Sequence, residues 1–491
     1  MVTHRALSNA LTGIALAATA LAAGTLPAQD PTPAPASALP PIKPLGKITA
    51  TSAEYLGAVS QVRALPNGSV LVNDNLGRKI VLFDPSLAAF SVVADTTSAT
   101  ANAYSSRAAG LITYKGDSTL FVDPSSLSML VIDGKGLVTR VMSVPRPNEA
   151  GSLIGGPNGT PGFDAQGRLV YRGFPNMRFG GRGGRGEPQA GAPGVMPTPQ
   201  FPDSVAVVRI DLASRKVDTA GHVKIPKQNV AIGQSVEGRM SVSVIIDPMP
   251  IIDDWAVTSD GRVAIVRGRD YRIDWIGADG AVTGSSKVPF AWRQLNDSMK
   301  VAFVDSARVA MEKLREQAQR AAANGGGADL AGIAAAAGFG GMVGGGGGGA
   351  VAFEMRGAMG GGGGGEVRML VGAGGDAAGG GARGGGGARG GGRGGVTIPP
   401  IEFISASELP DYAPPFAAGS VRGDADGNLW IRTSNVYDGG SVYDVVNSAG
   451  KLTDRVLLPP GRVIAGFGPG GVVYMGVRHE QGVRLEKATI R

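Results

Sequence analysis

The chain has 491 residues, no cysteine, three histidines and a net charge of +7, with only 18% charged side chains. The lack of cysteine excludes disulfides, thiolate metal sites, thiol catalysis and a cysteine-linked lipid anchor. His4, His222 and His479 are too few for a histidine-rich metal centre or an ordinary histidine-based triad; His479 reads either as a lone acid–base group or as a surface loop residue.

Residues 1–28 read as a secretory signal. His4 and Arg5 give a basic start, and LTGIALAATALAA at 11–23 is an apolar run too short for a comfortable membrane span. The expectation is a periplasmic or secreted protein with no membrane anchor. Residues 29–45, beginning QDPTPAPASALPPIKP, read as an extended Pro/Ala linker, so the globular part is expected over 46–491.

The rest of the chain repeats one pattern, clearest at 419–458. There, short β-rich runs are separated by turns at Asp426-Gly427, Asp438-Gly439-Gly440 and Ala449-Gly450. Asp-Gly pairs tolerate positive φ and close tight hairpins, so this is a four-stranded meander. The first hairpin recurs as LPNGSVLVND at 65–74, YKGDSTLFVD at 114–123, FDAQGRLVYR at 163–172, TSDGRVAIVR at 258–267 and GPGGVVYMGV at 468–477. The turn glycines Gly427 and Gly471 stand 44 residues apart. A period of about 40–50 residues with four strands per unit predicts an all-β fold, a six-bladed β-propeller of antiparallel blades. Leu429, Trp430 and Ile431 are consecutive and apolar, as strands packed on both faces require. The sixth unit has only three strands, and GKITATSAEY at 46–55 is expected to close that last blade from the amino end.

Three irregular stretches interrupt the period: 174–203, 227–250 and 292–412. The first is a low-complexity loop. The third opens with a helix expected at 292–324, with Leu295, Met299, Phe303, Met311, Leu314 and Ala318 as its apolar stripe and Asn296 or Ser298 as its cap. It continues into a glycine tract at 325–395, where chain entropy forbids a fixed core but the apolar islands 351–355 and 367–371 could dock as stray strands. The GRGGRG and ARGGGGARGGGRGG runs look like RGG segments of nucleic-acid-binding proteins. No aromatic residue interleaves their arginines to stack on bases, so they read as flexible insertions and nucleic acid is not the expected partner.

ELPDYAPPF at 408–416 followed by VRGDADGNLWIR at 421–432 resembles bacterial six-bladed propellers of the TolB-like and NHL-like superfamily. The resemblance covers the repeats over 46–491, less the insertions. It implies the fold, in a superfamily that includes binding modules, lactonases, lyases and periplasmic accessory proteins.

In a meander propeller the b–c loops and the blade-to-blade connections share one face of the disc. All three insertions fall on that face, and loops on a rigid scaffold carry binding. Aligning the second strands on their turn glycines brings Arg172, Arg267, Arg269, Arg432 and Arg478 towards it, with Asp253 and Asp254 at the starts of first strands. Such a mouth suits a small anionic ligand; alternatively these arginines form structural ion pairs with Asp74, Asp123, Asp253 and Asp254. The expected function is a monomeric, exported, non-catalytic propeller binding a small anionic ligand, a peptide or a protein partner, with no cofactor. The alternative is a lactonase-like, metal-dependent hydrolase or lyase holding calcium in the central channel, for which Glu54, Asn73, Asp123 and Asp254 are candidates by residue type.

Overall fold

Six times along the chain a β-rich run folds back on itself as a meander, and the six sheets stand around a common axis. They occupy residues 61–94, 110–143, 162–224, 253–287, 421–458 and 462–489, numbered here as blades 1 to 6. The computed structural model describes residues 39–97, 104, 109–175, 178–179, 199–200, 202–227, 229–234, 240–323, 352–354, 368–370 and 402–490. The signal reading, the upstream part of the linker and nearly all of the glycine-rich tract lie outside them. Tight first turns set the register: Gly68 and Gly427 hold φ of +85° and +87°, a region that penalises any Cβ.

Packing is between blades. Six apolar clusters form, one at each junction. The run Leu429, Trp430, Ile431 shows why these strands do not alternate. Leu429 and Ile431 pack towards blade 4, whereas Trp430 packs towards blade 6 among Tyr443, Ile464, Val473 and Met475.

Ring closure uses the amino end, as expected. Strand β2 (Ile48–Thr51) pairs antiparallel with Gly482–Thr489 as the fourth strand of blade 6. The folded part nevertheless begins before residue 46. Strand β1 (Ile42–Pro44) adds in parallel to Leu452–Leu458, giving blade 5 a fifth strand. An edge position tolerates prolines that cannot donate, and Leu45 anchors the segment in the blade 5/6 cluster.

The two long connections flanking blade 4 join each other. Asn229–Gln234 pairs with Met240–Ile246, which pairs in parallel with Glu402–Phe403. Helix α1 (Asp297–Ala323) packs on this small sheet through Val304, near Met249, Ile404 and Leu409. Asn296 caps it, accepting from the Met299 N–H at 2.9 Å. Its buried face is turned from the expected stripe: Met299 is 38% exposed, while Lys300, Val304 and Ala307 are buried. Lys300 occupies that face because its ammonium reaches Asp411 at 2.6 Å, leaving only its stem among apolar neighbours. The islands in the glycine tract pair with each other, Ala352–Glu354 against Arg368–Leu370.

Candidate functional site

The first strands of all six blades surround a central cavity of about 420 Å³. Counting back five residues from each first-turn glycine reaches Arg63, Leu111, Gly162, Arg422 and Gly466 in blades 1, 2, 3, 5 and 6, and all five line it. Blades 1 and 5 therefore contribute a guanidinium each at equivalent positions. Arg422 Nη1 donates to the Ile464 carbonyl at 2.8 Å, and Arg63 Nη1 to the Ala64 carbonyl at 2.8 Å. Neither bonds a carboxylate among the described residues. Burial lowers the pKa of both, opposed at Arg63 by Asp117 and at Arg422 by Tyr443 and Asp254.

On the insertion-bearing side, residues 154–160 form a strap bonded to several blades. Gln61 Nε2 donates to the Ile154 carbonyl at 3.2 Å, and Trp255 Nε1 donates to the Asn158 carbonyl at 2.9 Å. Arg172 bonds the Pro157 carbonyl and Asn158 Oδ1. Thr160 Oγ1 donates to the Val421 carbonyl at 3.1 Å. Gly159 makes the approach possible: its φ is +88°, and a Cβ there would stand 2.2 Å from Trp255 Nε1. Ile154, Gly155, Gly156 and Gly159 line the cavity, so the strap bounds it at this end.

Beside the strap, Asp254 is buried on the first strand of blade 4 and bridges to blade 5. It accepts from the Trp255 N–H at 2.9 Å and the Val421 N–H at 3.0 Å. Burial pushes its carboxyl up to about 7, against the pull of these bonds and of nearby Arg172. Arg172 is itself lowered by burial to about 10. Arg422 feels both Asp254 and the like charge of Arg432. Arg432 is half-buried, and its guanidinium has no hydrogen-bond partner among the described residues. Of the seven predicted residues, Asp254 and Arg432 thus act on Arg422, and Arg172 joins them through Asp254.

The other four do not join them. Arg267 is held by Asp253 and Asp274, both at 2.7 Å, as a structural ion pair. Asp253 also accepts from the Lys224 and Gly268 N–H groups. Arg269 and Arg478 are exposed on separate blades. The four calcium candidates do not form a donor set. Asn73 spends its amide on the Ala109 carbonyl and the Tyr104 hydroxyl, and Asp123 caps its own turn at Ser125 and Ser126. Glu54 lies 3.6 Å from Lys79, and Asp254 serves backbone N–H groups. Among the described residues no three His, Asp or Glu side chains come close enough to share a metal ion. His479 stands edge-on to Tyr55, with ring centroids 6.0 Å apart, and Tyr55 is also covered by Arg484. The His222 carbonyl accepts from Arg267, and His4 lies outside the described residues.

The raised carboxyl of Asp254 has a consequence for stability. Asp444, lifted by burial to about 6 despite the Tyr271 hydroxyl and Arg455, behaves alike. In both, the folded pKa exceeds the unfolded value of about 3.9. The native state therefore binds more protons between about pH 4 and 7, and stability falls as pH rises through that window. The expected result is a urea midpoint that drops from pH 4 to 7.5 in the wild type and drops less in Asp254→Asn. An equal slope in both would show that Asp254 is not the titrating group.

Together the fold and the channel define a six-bladed β-propeller. No protein-family model and no curated protein matches the chain. Among solved structures it is similar to a catalytically inactive virginiamycin B lyase from Staphylococcus aureus with quinupristin, at 9% identity over 90% of this chain and 99% of that one, TM-score 0.35. It is also similar to regucalcin, a calcium-binding protein from Agrobacterium tumefaciens, at 11% identity over 92% and 98%, TM-score 0.30. A third is a PQQ-bound aldose sugar dehydrogenase from Streptomyces coelicolor, at 10% identity over 92% and 100%, TM-score 0.33. The likeness is one of fold.

Proposed function

We propose that this chain is an exported, non-catalytic propeller of the TolB-like and NHL-like kind that binds a small anionic ligand on its insertion-bearing face. One observation carries the reading. Arg172 and Arg422 both feel one buried carboxylate, Asp254, while Arg432 lies beside Arg422 and has no bonded partner among the described residues. An anion reaching Arg432 would gain charge-assisted hydrogen bonds in a partly desolvated setting, each contributing about 1.5–3 kcal/mol. Arg269 and Arg478, exposed on the neighbouring blades, would extend the positive field to the acidic side chains of a larger partner. Among the described residues the donor groups near the channel lend no support to the metal-dependent hydrolase or lyase reading.

The test is calorimetric titration with inorganic phosphate and with citrate. The wild type is expected to bind at least one, and Arg432→Ala to weaken it about tenfold or more while keeping its melting temperature. Binding to neither anion, or equal binding by Arg432→Ala, would remove the reading.

A further inference from the structure

The cavity itself forms a second constellation, which shares Arg422 with the insertion-face cluster and adds Arg63 and a ring of aromatic side chains. Arg63 and Arg422 hold equivalent positions in blades 1 and 5, and blade 6, between them, puts Gly466 in that position. The glycine is required for packing, because a Cβ there would stand 2.4 Å from the Val62 carbonyl oxygen. The same requirement leaves the wall between the two arginines without a side chain. Among the described residues Arg63 Nε is buried with no partner, and each guanidinium spends only one N–H group on a backbone carbonyl.

Near the tight-turn end the walls become aromatic. Tyr114, Phe163 and Phe467 all line the cavity and are half-buried. The Tyr114 and Phe163 rings lie 5.1 Å apart, tilted by 53°. The carboxylate in this wall, Asp424, does not oppose an anion with a free charge. It is saturated by the Asp426 and Asn428 N–H groups, Asn428 Nδ2 and Trp430 Nε1. Asp117 is exposed on the blade 2 turn and acts on Arg63 through its field; among the described residues no hydrogen bond joins them. At the opposite end the strap of residues 154–160 bounds the space.

The geometry points to a channel site for an organic carboxylate with a flat apolar body, reached from the tight-turn face. The carboxylate sits against Gly466 between Arg63 and Arg422, and the body lies among Tyr114, Phe163 and Phe467. A cavity of about 420 Å³ holds a ligand of that size. Half-buried guanidiniums without an anion gain from one, which supplies orientation, while the rings supply apolar contact area.

The site shares Arg422 with the insertion-face cluster, and one experiment separates the two through residues that only one of them uses: Arg63 and Phe163 against Arg432. Phenylacetate, its neutral isostere phenylacetamide and inorganic phosphate are titrated calorimetrically into the full-length chain. Phenylacetate is expected to bind, with phenylacetamide at least about tenfold weaker, since a charge-assisted bond is lost. Arg63→Gln and Phe163→Ala should each weaken phenylacetate about tenfold, whereas Arg432→Ala, which touches the site only through its field on Arg422, changes it by less than about threefold. Arg63→Lys, which retains the charge without the planar fork, should fall between wild type and Arg63→Gln. A melting temperature equal to wild type marks a variant as folded; if Arg63→Gln fails that check, the Arg63→Lys and Phe163→Ala comparison decides. The site is overturned if no phenylacetate binds, if phenylacetamide binds as well, or if Arg432→Ala weakens binding and the channel variants do not.

Discussion

Deleting residues 39–55 is expected to abolish the cooperative unfolding transition of the propeller. The segment contributes β1 and β2, the fourth strand of blade 6 and the fifth of blade 5. With it go the pairings of Ile48 to Thr51 along Gly482–Thr489 and the reciprocal bonds at Ser52, whose N–H donates to the Leu485 carbonyl at 2.7 Å and whose hydroxyl accepts from the Leu485 N–H at 3.0 Å. Leu45 leaves the blade 5/6 cluster as well. Backbone bonds at about 1 kcal/mol each and a buried leucine at about 2 kcal/mol make a loss of at least about 5 kcal/mol. That rivals the whole stability of many domains. The deletion also bares Gly482–Thr489 as an open edge, so the variant should aggregate. Circular dichroism in urea and light scattering read both effects, and a synthetic peptide of residues 39–55 added in trans should restore part of the transition. A deletion variant that melts like the wild type would show that blade 6 is complete without it.

Trp430→Ala should produce the next largest loss, about 3–5 kcal/mol in urea unfolding. The indole is 1% exposed and lies 5.1 Å from the Phe467 ring, at the junction that the amino-terminal strands also secure. Its Nε1 donates to Asp424 Oδ2 at 3.1 Å. Trp430→Phe keeps most of the apolar contact and loses that bond, so about 1–2 kcal/mol is expected. If the two variants lose the same amount, the hydrogen bond rather than the packing dominates.

The propeller was legible because its repeats are spelled by turn chemistry. Gly68, Gly261 and Gly427 each close a first hairpin, and an Asp-Gly or Asn-Gly pair needs no tertiary context to be recognised. The closing role of 46–55 followed from counting strands in the sixth unit. Strand β1 was not legible, since Ile-Lys-Pro is too short and too proline-rich to read as a strand until blade 5 offers it an edge. The rotation of α1 was hidden for a different reason. A lysine on the buried face looks wrong in a hydrophobic pattern until Asp411, 111 residues away, is seen to hold it. For the site, second-strand alignment found Arg172 and Arg432, and it also found Arg267, whose ion pairs depend on blade-to-blade distances that no local pattern carries. Arg63 and Arg422 were missed although their signal was present: each stands five residues before a turn glycine, in QVRALPNG and SVRGDADG. The position means something only once first strands are known to face a cavity.

The seam between β2 and Gly482–Thr489 joins chain segments synthesised more than four hundred residues apart. A ribosome making this protein therefore extrudes an arc that stays open until the final wedge emerges, with β2 waiting throughout for a mate. Contacts of such sequence separation form slowly. Until then the arc carries an unpaired sheet edge at each end, the kind of edge through which partly folded chains pair with one another.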